Sequence, residues 1–386
     1  MKIGQTIAES TADVAAPVHA SISGTVSAIE PRLHPNGSMV MSIVIDNDYE
    51  ENSVQEMEPV DKFRDLTGEE LADIAKEAGL VGLGGAAFPL HVKLRSSIGK
   101  VDTLIINGAE CEPYITSDNR LMLEHTNELV EGASIIMKAL GLKCVHIAVE
   151  SNKREAISKL HRTAEQKSHI KLDVLRTKYP QGSEKHLIKA VTGREVPAGK
   201  LPADVGVINV NVASAISVYR AVEEGLPLTH KVVTVSGEAV ANPKNLLVPL
   251  GTPIGELIEA CGGLKEEPSE LIMGGPMMGV GQYSPEVPVI KGTNAVLALL
   301  GNENAFSNDP MCIRCGKCVS ACPMNTMPIY INMYAKKGRL DECEKYRVLD
   351  CNECGTCSYI CPGRLPLTQT FRKIKQEILA KKRGGQ

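Results

Sequence analysis

The chain has 386 residues, more than one hydrophobic core usually organises, so two or three domains are expected and a single small module is excluded. Lys and Arg number 42 against 46 Asp and Glu, and this net charge of -4 leaves no positive excess to track a phosphate backbone, so nucleic acid is not an expected partner. Hydrophobic residues at 43% exclude a disordered chain, and with four Phe, nine Tyr and no Trp the core must be built from Val, Ile, Leu and Ala, as buried parallel sheets are.

Residues 1 to 47 read as short strands punctuated by Gly and Pro, with SMVMSIVID following the turn HPNG. The opening MKIGQTIAES has no charged segment leading into an apolar one, and no apolar run approaches about 18 residues, so the chain is expected to be neither exported nor membrane-spanning. From 62 to 227 helices and strands alternate, which argues for a parallel sheet covered by helices. Thr67 and Glu70 form a capping box ahead of ELADIAKEAG, and Gly79 stands where a left-handed C-terminal cap belongs. The strands VDTLIIN, KCVHIAVE, IKLDVLR and DVGVINV are separated by helical stretches, the clearest being LMLEHTNELVEGASIIMKAL and REAISKLHRTAEQ. Residues 228 to 300 return to β around one helix, TPIGELIEACGG, with Pro253 suited to its first turn. The block 306 to 370 carries the cysteines, and 371 to 386 reads as a basic, solvated helical tail.

Nine of the twelve cysteines fall between Cys312 and Cys361. They form the runs Cys312-x2-Cys315-x2-Cys318-x3-Cys322-Pro323 and Cys351-x2-Cys354-x2-Cys357-x3-Cys361-Pro362, each with bacterial ferredoxin spacing. Three close thiols wrap one cubane, and the fourth, carried off on a following helix, ligates the other cluster when two runs are paired. Cys312, Cys315, Cys318 and Cys361 are therefore assigned to one 4Fe-4S cluster, and Cys322, Cys351, Cys354 and Cys357 to a second. Zinc calls for closed tetrahedral sites and disulfides for small exported scaffolds, and a duplicated run of this form suits neither. Cys343, Cys144 and Cys261 lie outside both runs and read as packed thiols.

The segment Gly79-Leu-Val-Gly82-Leu-Gly84-Gly85-Ala-Ala-Phe88-Pro89, followed by Lys93, packs four glycines into seven residues. Backbone without Cβ can approach a phosphate or a flat ring, and its N-H groups can cradle an anion, although these glycines do not fit the dinucleotide fingerprint. A second polar loop, Asn107-Gly-Ala-Glu110-Cys-Glu112-Pro113-Tyr114, follows the strand LIIN at the end of a sheet where α/β folds bind ligands. A third, Tyr179-Pro180-Gln181-Gly182-Ser183-Glu184-Lys185, opens a helix.

GLVGLGGAAFPLHVKL, INGAECEPYITSDNRLM, YPQGSEKHLIKAVTGREVP and GGPMMG, with the double cysteine run behind them, resemble the RnfC subunits of the Rnf electron-transport complexes. The first three are also similar to the flavin-carrying, NADH-oxidising subunit of respiratory complex I. The resemblance implies a multidomain α/β protein. Its parts would be a partial lipoyl- or biotinyl-like β sandwich at 1–50, a Rossmann-like FMN/NADH domain at 62–227, a β-grasp domain at 228–300 and an α-helical double-cluster domain at 306–370. No lysine stands at the hairpin around APVHASISG, so a carrier role for the sandwich is not expected, and MKIGQTIAE reads like the middle of such a domain, with its preceding strands expected to be missing.

The resemblance further implies non-covalent FMN held by Gly82, Gly84, Gly85, Lys93, Asn107, Glu110 and the Asn211 region. NAD(H) would stack near Phe88, Glu112, Gly182 and Glu184. Complex I has an Arg where Leu83 stands, a carboxylate where Ala109 stands and an aromatic where Ser96 stands. Cys111 reads as a small packing residue. The implied function is an NADH dehydrogenase module: hydride exchange between NAD(H) and FMN, then single electrons through two 4Fe-4S clusters to or from other Rnf subunits, ferredoxin-like and membrane-embedded. Such a chain would sit at the cytoplasmic face of the membrane as a peripheral subunit, and no catalytic acid or base is expected because hydride transfer requires none. Two alternatives are a soluble relative of the NADH-dependent cobalamin reductase and a non-enzymatic electron-transfer or assembly subunit.

Overall fold

The computed structural model describes residues 1–60, 66–301 and 310–384. The expected starts of the flavin domain at 62 and of the cluster domain at 306, and the last two residues of the tail, lie outside the described residues. The chain divides into two compact units: residues 1–196, 201–275 and 280–300 form one, and residues 197–200, 276–279 and the chain from 301 onward form the other.

The first unit is built round a four-stranded parallel sheet in the spatial order Ile170–Leu175, Val145–Glu150, Thr103–Gly108, Val207–Asn211. Both faces are covered, as the continuous apolar runs require: Leu104 and Ile106 point into one core with Leu129, Ile136 and Val212, while Ile105 and Val207 pack with Leu187 and Ile188 on the other side. The chain first adds two strands outward from Thr103–Gly108 and then returns to its opposite edge. That reversal creates a crevice beyond the carboxyl ends of Thr103–Gly108 and Val207–Asn211, where Asn107 and Asn211 are register partners.

The expected capping box is present, with Thr67 Oγ1 accepting from the Glu70 amide at 3.2 Å and Glu70 Oε2 accepting from the Thr67 amide at 3.0 Å. Gly79 follows in the left-handed region, at φ +65°. The stretch LMLEHTNELVEGASIIMKAL, expected as one helix, forms two, Ser117–Glu124 and Thr126–Ala139. The break is at His125, with φ -117° and ψ 35°, where the His125 ring pairs with Glu128 at 2.5 Å. Local side-chain bonding of this kind offers the backbone an alternative to the helical ladder.

The same unit holds a five-stranded sheet in the order Lys244–Pro249, His230–Ser236, Ala295–Leu299, Glu270–Met273, Val280–Gln282. Val233, Val235, Val296 and Ala298 pack there against Leu257 and Ile258 of the helix Ile254–Ala260. At the N-terminus Gly24–Leu33 pairs antiparallel with Met39–Asn47, and Thr6–Ala8 with Val18–His19.

The second unit is helical, with Lys317–Ser320, Pro328–Ala335, Leu340–Lys345, Thr356–Tyr359 and Leu367–Gly384. Its core includes Ile331, Cys343, Val348, Leu367, Phe371, Ile374 and Ile378. The expectation of a solvated tail from 371 is corrected here, because Phe371, Ile374 and Ile378, spaced on one helical stripe, are all buried. Solvent reaches only the opposite, basic face. Among the described residues no helix is long and apolar enough to cross a membrane.

Candidate functional site

The glycine loop is folded back on itself between two helices. Gly82 N donates to Phe88 O at 2.8 Å, Ala87 N donates to Gly82 O at 3.1 Å, and Leu83 N donates to the buried Ser214 hydroxyl at 2.9 Å. Gly85, at φ +110°, and Ala87, at φ +50°, turn the chain so that the amides of Gly84, Gly85 and Ala86 find no acceptor among the described residues. A Cβ on Gly84 would stand 3.4 Å from Asn211 Nδ2, so the loop passes directly over the N-cap of the helix Val212–Glu223. Phe88 is 44% exposed at the loop's end.

Lys93 and Glu184, distant in sequence, meet as an ion pair at 2.8 Å, and Lys93 Nζ also donates to Asn209 O at 2.8 Å. Asn107 Nδ2 donates to Gly182 O at 2.9 Å, while a Cβ on Gly182 would fall inside the Ala109 carbonyl. The second and third polar loops are therefore in backbone contact. Cys111 accepts the Gly182 amide at 3.3 Å, and burial pushes its thiol up to about 11, as befits a packing residue. Glu112 accepts from the Tyr179 hydroxyl at 3.2 Å.

Glu110 is placed differently from a free ligand-binding carboxylate. It is almost fully buried, accepting from the amides of Asp118 at 2.8 Å and Asn119 at 3.4 Å and pairing with Lys153 at 3.3 Å, so it anchors the helix Ser117–Glu124 under the site. Asn211 is likewise engaged at both ends: Oδ1 accepts from Ala213 N at 2.9 Å and Nδ2 donates to Asp118 Oδ2 at 2.7 Å. Burial, with the Glu110 carboxylate adding to it, holds the Asp118 carboxyl well above the usual carboxylate range. Leu83, where complex I has Arg, is a core side chain; Ala109 N donates to Asn107 Oδ1, and Ser96 Oγ donates to Lys93 O.

Sequence reasoning missed two groups. Asn209 Oδ1 is buried with no partner among the described residues. Lys231 is 5% exposed, burial brings its ammonium down to about 7, and Nζ donates to Leu83 O and Lys291 O, each at 2.8 Å. A signal for Lys231 existed, since period-two alternation in HKVVTVS puts it on the inward face with Val233 and Val235.

In the second unit two cavities are each lined by four cysteine side chains, and the sets are those of the crossed assignment. Cys312, Cys315, Cys318 and Cys361 line one, of about 380 Å³; Cys322, Cys351, Cys354 and Cys357 line the other, of about 300 Å³. No three His, Cys, Asp or Glu side chains among the described residues converge on a single-ion site. A tetrahedral zinc, with Zn-S of about 2.3 Å, would require that convergence, whereas a cubane needs its thiols spread round a void. Cys312 and Cys315 are exposed, while Cys354 and Cys357 are buried, and burial pushes Cys357 up to about 12 and Cys351 up to about 11. Cluster assembly would therefore release their protons. Thr326 and Thr356 lie against Cys322 and Cys354 at 3.2 and 3.3 Å. Cys343 is a packed thiol, as expected, donating to Ile331 O at 3.5 Å.

Family models match four successive stretches: the RnfC barrel sandwich hybrid domain over residues 1–50, the Nuo51 FMN-binding domain over 75–220, the SLBB domain over 232–281 and the 4Fe-4S dicluster domain over 305–362. The RnfC subunit of the Na+-translocating ferredoxin:NAD+ oxidoreductase complex of Acetobacterium woodii is 42% identical over 384 residues, covering 99% of this chain and 87% of that protein. Its proton-translocating counterpart in Clostridium ljungdahlii is 44% identical over 379 residues, 98% of this chain and 83% of that one. The corresponding protein of the ion-translocating oxidoreductase complex of Rhodobacter capsulatus is 44% identical over 380 residues, 97% and 73% of the two chains. Among solved structures, an NAD+-reducing [NiFe]-hydrogenase in the H2-reduced state shares the fold at a TM-score of 0.54, with 16% identity, over 81% of this chain and 61% of that one. The chain, with its FMN-binding and 4Fe-4S dicluster domains, belongs to the RnfC family of the ion-translocating ferredoxin:NAD+ oxidoreductase (Rnf) complexes.

Proposed function

We propose that this chain is the NADH dehydrogenase module of an ion-translocating ferredoxin:NAD+ oxidoreductase, exchanging electrons in pairs with NAD(H) and singly with partner subunits. The observation that carries the reading is the presence, in one chain, of an FMN-binding domain and two four-thiol cavities. Bound FMN would supply the conversion between hydride transfer and one-electron transfer, and two bound 4Fe-4S clusters the one-electron steps.

The chain's own residues bind and orient. The free amides of Gly84, Gly85 and Ala86 offer donors to the flavin, and the glycines leave room for a flat ring. Lys93, fixed by Glu184 and the Asn209 carbonyl, presents a positive charge to the same crevice. Asn107 and Gly182 close the second and third loops together, and Glu110 and Asn211 support them from below. Phe88, Glu112, Gly182 and Glu184 border the place proposed for the nicotinamide nucleotide. The buried core position of Leu83 favours a second reading, a cluster-bearing subunit with a weakened nucleotide site. The chain would work as a peripheral subunit at the cytoplasmic face of the membrane.

FMN-dependent reduction of ferricyanide tests the reading. NADH, not NADPH, is expected to support turnover in proportion to bound FMN; a fully FMN-loaded protein inert to NADH overturns it.

A further inference from the structure

The two cysteine runs fold with internal two-fold repetition, and the repeat is broken in charge. Arg314 and Glu353 occupy equivalent positions, third in each run, with φ +59° and +57°; Asn325 and Arg364, third after the last cysteine of each run, have φ +52° and +51°. At the cavity lined by Cys322, Cys351, Cys354 and Cys357, Glu353 is tied to Arg372 at 3.0 Å and to Lys375 at 2.5 Å. There Gly355 lies so close to the Met277 carbonyl that it has no room for a Cβ, so the PMMG turn covers that edge.

Nothing comparable covers the other cavity. Gly316, the counterpart of Gly355, has open space where its Cβ would be, and Cys312 and Cys315 are exposed. Met311 O packs on Gly363, which brings the loops carrying Arg314 and Arg364 together, with Lys317 on the short helix between the cysteines. Arg314, Lys317 and Arg364 are exposed and have no carboxylate partner among the described residues, although the whole chain is net acidic. Apolar Met311 and Ile313, 64% and 65% exposed, stand among them.

We infer that this rim is the port at which the chain docks a protein carrier with an acidic face and a one-electron centre. The basic residues would steer the carrier, and the apolar side chains would exclude water from the contact. The inference rests on the proposed reading of the thiol cavities as cluster sites. In each encounter one electron leaves the reduced cluster held by Cys312, Cys315, Cys318 and Cys361 and reduces the carrier's centre. No covalent bond is made or broken and no proton moves, and the reverse transfer uses the same contact.

The test uses the full chain with reconstituted clusters, reduced by dithionite and freed of excess reductant, mixed in stopped flow with oxidised rubredoxin, an acidic one-iron protein, or with basic cytochrome c. NADH is not needed, so failure here is separable from failure of the dehydrogenase reading. Lys317→Glu with Arg364→Glu is expected to slow rubredoxin reduction at least ~10-fold at low salt, to flatten its salt dependence and to speed cytochrome c. Lys317→Gln with Arg364→Gln should fall between, with iron content and the cluster paramagnetic signal matching the unaltered chain. The inference is overturned if either fully loaded variant reduces rubredoxin at the unaltered rate, or if the substitutions weaken only binding to anionic phosphatidylglycerol vesicles. An unaltered chain that takes up no iron overturns it together with the cluster reading.

Discussion

Gly84 separates a binding role of the glycine loop from a folding role. Its backbone is not in the left-handed region, and an added Cβ would meet only Asn211 side-chain atoms at 3.4 to 3.6 Å, ordinary contact distances. Gly84→Ala should therefore be neutral or stabilising by about 0.4–1 kcal/mol, through the unfolded chain, with Tm moving by no more than about 3 °C. The new methyl would stand beside the free amides of Gly84, Gly85 and Ala86, in the space assigned to the flavin. Forcing a methyl into a filled site costs about 1–3 kcal/mol, which is about 5- to 150-fold in Kd. Quenching of FMN fluorescence on titration gives the affinity, and a melting curve on the same sample gives the stability. A variant that binds FMN within twofold of the unaltered chain at unchanged Tm refutes the assignment of this loop to the cofactor.

Gly182→Ala should behave in the opposite way, lowering Tm as well as nucleotide affinity, because its methyl would overlap the Ala109 carbonyl and push the second and third loops apart. Lys93→Met removes a partly exposed ion pair worth at most about 1 kcal/mol, so stability should hardly change while FMN content falls; retained FMN would count against the crevice. Crossed ligation is tested by cysteine pairs. Cys312→Ser with Cys361→Ser should lose one cluster, leaving about four of about eight irons, whereas Cys312→Ser with Cys322→Ser should damage both; the reverse pattern in iron analysis and paramagnetic spectra would favour uncrossed runs. Burial and the neighbouring Lys291 ammonium hold His19 down at about 4, below its ordinary 6.5, so the native state binds fewer protons than the unfolded one. Its contribution is full above about pH 6.5 and is lost as pH falls through 4, on the order of 3 kcal/mol in all. Urea unfolding should show a shallower acid loss in His19→Gln, and parallel curves would remove His19 as the cause.

The four cluster thiols of each cavity were legible in the sequence because spacing alone fixes which sulfurs can share a loop and which is carried to the other side. The parallel strands were legible for a similar reason: runs such as VDTLIIN have no polar face. Burial of Glu110 was not legible, since nothing in NGAECEP says that its carboxylate will cap a helix seven residues on. The split of one expected helix at His125 depends on side chains that meet only after folding, among them Arg220, which donates to Glu128 at 2.7 Å from the helix Val212–Glu223. The basic C-terminal segment misled through its charge, because its apolar stripe Phe371, Ile374 and Ile378 is short and flanked by lysines.

An anaerobic NADH titration of the cluster-reconstituted, FMN-loaded chain tests the central claim most directly, with flavin absorbance and the paramagnetic signal of reduced clusters followed together. The flavin is expected to bleach with NADH but not NADPH, and the cluster signal to grow as it does. Clusters that dithionite reduces while NADH leaves the flavin oxidised would contradict the account.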